Sequence, residues 1–525
     1  MSIAHHVGRE REGRFHVRLP VLVVAALWEI AVFYVYSYNS GYGFDALEYL
    51  VIGRSLLDGY SLYSFIPSKS WGLYVFVAAA FRLGVPSTHV GVSALVTFLF
   101  AIMVICTWYV TFRLFGTGVA VLNTALVSLC AAFMELNFLE PEPLVYLCGL
   151  AAYKVLAESD ADVVELRSSK MFWAGLLGAI GCAFKAVAAF YVLGVVVYVV
   201  LMRNRRPFDI VTAIRRAGLV GLGFACGLAP QLLYFYATGR GSQFLTWTFI
   251  FPLLHYPHST QMLPKLYTKL LWFFVLTAIC IALSTRKSIR QRVRAERNVH
   301  LAVVMGAISL LTLFRNQAAH YVFPGAAFLC LFISWVIWTS ATQHPSFKLK
   351  HAVAAFAALI ALVASAVYLY STVTALYSPH VLRRFVSWRT FSEERPLQTK
   401  LQSLVKSDQK FIAVTGAAQM YWLSRRYPPL PVINTEVQTS WWLRNTPQAY
   451  ADAVRNRSVV LVEFNPYNVS LDDPDAYVDG PWHLALDQLH TALLSSFCTV
   501  GPPDDQGHLF WIPNRGRTGH CEQPR

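Results

Sequence analysis

Charged residues are scarce in this chain: Asp, Glu, Lys and Arg make up 14% of its 525 residues, where soluble globular domains carry about 25%. That scarcity, in a chain 56% hydrophobic, excludes a disordered protein and argues against an ordinary soluble enzyme. The sequence contains no internal repeat and no low-complexity segment. Seven of its nine cysteines (Cys106, Cys130, Cys148, Cys182, Cys226, Cys280 and Cys330) lie inside apolar blocks without a Cys-x-x-Cys spacing. They read as small packing residues.

What is present is apolar length. Aromatic residues make up 14%, the mean hydropathy is +0.45, and apolar blocks recur near the ~20 residues that cross a bilayer. A polytopic α-helical membrane protein follows. After a basic start (Arg9, Arg11, Arg14, Arg18), the stretch VLVVAALWEIAVFYVYSY is the first span. It is too long for the apolar region of a cleaved signal peptide, so the N-terminus is expected in the cytoplasm. Further blocks fall near 90–114, 117–135, 144–157, 171–187, 188–202, 217–238, 265–285, 299–314, 322–339 and 352–371, giving about 11 spans. The arginine-rich segments 203–216 and 286–297 both fall inside in this count, as the positive-inside rule asks. The formal charge of +15 therefore reads as topology signals and membrane-lipid contact, not as nucleic-acid binding.

An odd number of spans puts the polar tail outside. Residues 1–371 form the expected transmembrane domain and 372–525 a small extracytoplasmic domain. Strand-like KFIAVTG and SVVLVEF, with helical QAYADAVRN and HLALDQLHTALLSSF, predict that the tail is α/β. Outside the cytoplasm Cys498 and Cys521 could pair. Trp441 and Trp442 could stack on a sugar or pack in a core. Within the outer loop 39–71, FDALEYLVIGRSLLDGY spaces Leu47, Leu50, Val51 and Leu57 for one apolar face of a surface helix. The adjoining GLYVFVAAAFRLG is short for a span and reads as interfacial or re-entrant.

An ionisable group at the bilayer centre costs about 2.5–3.5 kcal/mol on insertion scales, so those near spans need a reason. Asp45 and Glu48, one turn apart after the first span, can face one volume as a general base and its neighbour, or be solvated charges. Glu140 and Glu142 flank Pro141 at the next outer turn, where acids also suit a helix N-terminus. Lys185 stands in the glycine-containing apolar stretch GLLGAIGCAFKAVAAF, to hold a phosphate or to snorkel. Arg315, His320 and Tyr321 gather in RNQAAHYVFP, as phosphate or sugar donors or as part of an aromatic belt. Arg240, His255 and His258 share the loop 239–264. His255 and His258 are a weak metal pair with no definite third ligand.

The order of these features resembles the GT-C class of polytopic glycosyltransferases, nearest to the bacterial aminoarabinose and lipopolysaccharide-core sugar transferases, which are related to protein O-mannosyltransferases. Asp45 is similar to the class's acidic residue after span one, and Tyr49, Gly53, Gly59 and Lys69 to the pattern that follows it. Glu142-Pro143-Leu144 resembles the second outer acidic motif, and Lys185 its glycine-rich lysine segment. APQLLYFYATGRGSQF, RNQAAHYVFP and KFIAVTGAAQMYWLSRRYPPLP follow in the family's order, so the likeness covers most of the chain. Four positions depart from it: Ala46 follows Asp45 where many relatives have Glu, Glu48 stands where aminoarabinose enzymes have arginine, and Ser70-Trp71 replace two prolines.

The resemblance implies an inverting transferase on the outer face of a bacterial inner membrane. It would move a monosaccharide from a polyprenyl-phosphate donor to a hydroxyl of a glycolipid, glycan or protein. Asp45 would be the general base, Lys69, Lys185 and Arg315 would hold the donor phosphate, and Glu48, Glu140, Glu142, His320, Tyr321 and Arg240 would contact substrate. Glu142, with Glu140 as the alternative, would position a sugar hydroxyl or a divalent cation. The alternative is a flippase or transporter of lipid-linked sugars that performs no transfer.

Overall fold

The computed structural model describes residues 19–40, 44–157 apart from 68, 168–202, 209–255, 263–314, 319–343 and 362–370, together with parts of the C-terminal region, chiefly 401–405, 410–414, 417–433, 459–464, 497–499 and 508–513. Within them the first helices are α1 (Leu19–Ser40), α2 (Phe44–Leu57), α3 (Trp71–Arg82), α4 (His89–Phe115), α5 (Thr117–Phe133), α6 (Glu142–Ala157) and α7 (Ser168–Phe184). They are followed by α8 (Ala189–Val197), α9 (Ile210–Ala237), α10 (Gly241–Leu245), α11 (Leu263–Ser284), α12 (Lys287–Ala295), α13 (Arg297–Ser309) and α14 (Ala319–Thr342).

The helix limits follow local chemistry. Thr88 caps α4 by accepting from Gly91 N–H at 3.4 Å, and the chain turns after Phe115 at Gly116, whose φ of 84° suits a residue without a Cβ. Among the described residues, α4, α9 and the stretch His320–Thr342 are each long and apolar enough to cross a membrane, and α11 bends by 99° into α12. The expected block 171–187 is not one helix. It stops at Phe184, and Lys185 follows in extended backbone, φ −160° and ψ 132°.

Helices α7 and α9 pack backbone to backbone. A Cβ at Gly223 would stand 2.7 Å from the carbonyl carbon of Phe172, and one at Gly175 would stand 2.9 Å from Phe224 N. Gly223 and Gly227, four apart, form the small-residue face that permits this approach. Pro230 lies inside α9. Next to it, Gln231 donates to Gly227 O and to Ala179 O of α7 and accepts from Trp71 Nε1 of α3 at 3.1 Å. One amide thereby fastens three helices.

Helix α6 runs from Glu142, in one group of polar helix ends, to Tyr153, in another. At one face Tyr153 and Tyr198 donate to the carbonyls of Asn298 and Arg297, where α13 begins beside the arginine-rich α12. At the other face lie the start of α2, the end of α5, the start of α6 and the end of α7. Helix α2 is not the half-exposed surface helix that its spacing suggests: Ala46, Leu47, Tyr49, Leu50, Val51 and Ile52 are all buried.

The C-terminal region holds β1 (Lys410–Val414), α15 (Ala417–Ser424), β2 (Val459–Phe464), β3 (Phe497–Thr499) and β4 (His508–Pro513) in a sheet of order β1-β2-β4-β3. Strands β1 and β2 pair in parallel, and β4 runs antiparallel to both β2 and β3. The first two are the expected strands, and the short β3 and β4 carry no alternation that would reveal them. This unit sits on α2 and α3, with Trp422 stacked on Phe81 at 6.1 Å between centroids. Of the expected tail helix QAYADAVRN, Ala449, Asp452 and Ala453 are helical, and Asp452 N–H donates to Gln448 O at 2.8 Å. The rest of it, the stretch 483–496, Trp441, Trp442, Cys521, His258 and the side chain of His255 lie outside the described residues.

Candidate functional site

Six helix ends bring one cluster together. Asp45, in the first turn of α2, is 28% exposed at its side chain and accepts from Lys69 Nζ at 2.9 Å and from Tyr49 OH at 3.3 Å. Lys69 is buried just before α3, and its own N–H donates to Tyr74 OH at 3.0 Å. That phenol donates in turn to Glu48 Oε1 at 3.0 Å. Glu48 thus lies buried beneath Asp45, fixing Tyr74 and through it the backbone of Lys69.

The second half of the cluster comes from α6, the break after α7, and the start of α14. Lys185 forms a buried ion pair with Glu142, and its ammonium lies 3.4 Å over the centre of the Tyr321 ring. The extended backbone at Lys185 swings the side chain off the α7 axis into this space. His320 Nδ1 lies 3.8 Å from the carboxylate of Glu135, a residue with φ 61° at the end of α5. A left-handed conformation at a non-glycine residue is costly and concentrates at functional positions.

Glu140, in the turn before α6, is fully enclosed. Burial pushes its carboxyl up to about 7; His320 and Lys69 lower it, while Glu142 and Asp45 act in the upward direction. One ligand atom from each of Glu140, Glu142 and His320 lies within 4.8 Å of the others. Glu140 Oε2, Glu142 Oε2 and His320 Nε2 are buried without a hydrogen-bond partner. Two carboxylates and one imidazole suit a zinc or manganese ion, so the residues present fit a divalent cation.

Asp45, Lys69, Glu140, Glu142, Lys185, His320 and Tyr321 therefore converge from distant parts of the sequence. Arg240 stands apart, donating to Ser61 Oγ at 3.2 Å and to Tyr63 O at 3.5 Å in the segment between α2 and α3. Arg315 lies outside the described residues.

No protein-family model matches the chain, and no curated protein sequence matches it significantly. Solved structures do. The chain is similar to ArnT from Cupriavidus metallidurans bound to undecaprenyl phosphate, with TM-score 0.62 and 14% identity, over 96% of this chain and 100% of that one. It is similar to the Archaeoglobus fulgidus oligosaccharyltransferase complexed with Zn and sulfate, with TM-score 0.51 and 11% identity, over 94% of this chain and 73% of that one. Both relatives are GT-C glycosyltransferases.

This chain has the GT-C fold. It is a multi-pass membrane protein. Within the GT-C architecture, two residues in contact with the cluster escape sequence reasoning: Tyr74 and Glu135. Tyr74 sits in an apolar run, and Glu135 looks like a solvated turn residue.

Proposed function

We propose that the chain is an inverting glycosyltransferase that takes a monosaccharide from a polyprenyl-phosphate donor. The observation that carries this reading is a partly open carboxylate, Asp45, paired with buried Lys69 in the same cluster as the buried Lys185–Glu142 pair of a GT-C bundle. An alcohol is a poor nucleophile near neutral pH, and a positioned carboxylate can take its proton as it attacks. The acceptor oxygen bonds to the anomeric carbon from the side opposite the phosphate. The carbon–oxygen bond to the phosphate breaks, its electron pair leaves with polyprenyl phosphate, and the configuration inverts.

The leaving phosphate needs fixed positive charge, and buried cations supply it without reorganisation. Lys69 would turn from Asp45 to the phosphate, freeing the base as the donor arrives. Lys185 would hold a second phosphate oxygen. Glu140, Glu142 and His320 would bind a divalent cation, which when bound supplies Lewis-acid stabilisation of the phosphate. Arg315 keeps the phosphate role given by its motif, and Tyr321 shields Lys185 on one side.

Two further observations support a lipid-linked donor. ArnT is bound to undecaprenyl phosphate and an archaeal oligosaccharyltransferase, at TM-score 0.50, to a dolichol phosphate. Beside Arg240, Leu232, Leu233, Tyr236, Leu245 and Ile250 line an apolar groove of about 480 Å³ in which isoprene units would lie. The acceptor would be a hydroxyl on a glycolipid, glycan or protein. The arginine-rich face of the bundle supports a cytoplasmic position for α12, with the cluster and the unit spanning 372–525 on the outer face of a bacterial inner membrane.

The test is release of polyprenyl phosphate from a panel of polyprenyl-phosphate sugars, with donor binding measured in parallel. Asp45→Asn is expected to keep donor binding and lose turnover by about 10²–10⁴-fold. Removal of divalent cations, or His320→Ala, is expected to lower turnover, with metal content followed by elemental analysis. Donor binding without release by the wild-type protein would replace the transferase reading with transport.

A further inference from the structure

Residues 58–70 connect α2 to α3 and deliver Lys69 to the site, yet the described part of this strap belongs to neither helix nor strand. Turn hydrogen bonds such as Tyr60 N–H to Ser55 O and Ser64 N–H to Ser61 O fold it locally. It is held from outside by Thr248, whose Oγ1 lies 3.0 Å from Tyr63 OH, by Arg240, and by Tyr427, which Arg54 contacts in turn.

Arg54 stands in the last turn of α2, about 14 Å along the axis from Asp45 in the first. Its guanidinium donates through Nη2 to Tyr421 O at 2.8 Å and through Nη1 to Trp422 O at 3.1 Å. These are carbonyls of the last turn of α15, where a helix leaves acceptors unsatisfied and its dipole favours a cation. The same group lies 4.9 Å over the Trp422 ring, and Nε lies 3.4 Å from Tyr427 OH. Tyr427 donates to the Asp58 carboxylate, and its ring stacks on Phe65 at 5.9 Å and tilts against Tyr60 at 4.7 Å. Ile66 N–H donates to Pro431 O at 2.7 Å. Asp58, Tyr60, Phe65 and Ile66 all belong to the strap, and Lys69 follows Ile66 by three residues.

We propose that Arg54 is a positioning residue: by clamping the C-terminal α/β unit onto α2, it holds the strap so that Lys69 reaches Asp45. This rests on the transferase reading for the role of Lys69, but the placement itself can be read without turnover. A planar fork that meets two successive carbonyls and covers an indole cannot be replaced by an ammonium group, so Arg54→Lys is the informative substitution. Arg240, which binds Ser61 and Tyr63 from the α9 side, is a further anchor of the same strap.

The experiment compares the full-length wild-type protein, Arg54→Lys, Lys69→Gln and the double variant. Donor kcat/KM is one readout, and acylation of Lys69 by a small amine-reactive reagent, followed by mass spectrometry, is the other. Arg54→Lys is expected to raise the acylation rate of Lys69 several-fold while leaving Lys185 unchanged, and to lower kcat/KM about tenfold. Added to Lys69→Gln, it should cost less than about twofold, because both act through one group. Unchanged Lys69 acylation, or losses that multiply in the double variant, would overturn the proposal. Tyr427→Phe carries the same two readouts if Arg54→Lys does not fold. Absence of turnover in the wild-type protein would count against the transferase reading alone, and Lys69 acylation would still decide the role of Arg54.

Discussion

At the scale of single residues, the energetics turn on Lys185 and Glu142, whose side chains are 6% and 0% exposed. Two ions withdrawn from water survive only as partners, and the Tyr321 ring over Lys185 supplies part of the lost solvation. Lys185→Met is expected to destabilise the protein by about 3–5 kcal/mol, because it strands a buried carboxylate. The double variant Lys185→Met with Glu142→Gln should recover most of that loss, yet remain unable to turn over donor. Thermal unfolding in detergent, read by tryptophan fluorescence, separates the two variants. A double variant no more stable than the single one would mean that the pair is not an electrostatic unit. Glu140 follows the same physics without a lysine of its own: enclosure holds its carboxyl near 7, which a bound cation would reverse.

At the scale of elements, close helix contact holds the end of α7 where Lys185 can leave it. The contact between α7 and α9 depends on the absence of side chains at Gly175 and Gly223, and Gln231 ties the same pair to α3. Gly223→Leu is expected to lower the melting temperature, since a side chain there meets the Phe172 backbone and overpacking costs about 1–3 kcal/mol or more. Gly218→Leu provides the control on the same helix, because a Cβ there meets nothing within 4 Å. Equal melting temperatures for the two variants would refute backbone contact as the origin of the α7–α9 fit.

At the scale of the whole molecule, the two faces of the bundle differ in charge and in chemistry. The face with α12 exposes Arg286, Lys287, Arg290, Arg292 and Arg294, while the face with α2 and α3 carries the acid–lysine cluster and the C-terminal sheet. The proposed orientation predicts that, in a cysteine-free background, a membrane-impermeant maleimide labels Arg82→Cys in intact cells. Gln291→Cys should react only after permeabilisation. Labelling of Gln291→Cys in intact cells would invert the assignment and move the cluster to the cytoplasmic side.

The sequence by itself determined the solvent and the repertoire. Scarce charge and recurring apolar blocks dictate helices in a bilayer, because that solvent offers backbone groups no other partner. The cost of ionisable groups there singled out Asp45, Glu140, Glu142, Lys185 and His320 before any fold was known, and strands β1 and β2 were legible from their β-branched runs. Tertiary structure decided the pairings. That Lys69 meets Asp45, that Glu142 and not Glu140 takes Lys185, and that Glu135 faces His320 depend on which helix ends meet. Glycine-to-backbone contacts and one glutamine fix those meetings, and neither leaves a periodic trace in the sequence. The role of Arg54 was hidden for the same reason: its partners lie more than 360 residues along the chain, and no local pattern encodes a contact made only when a distant helix end presents its carbonyls.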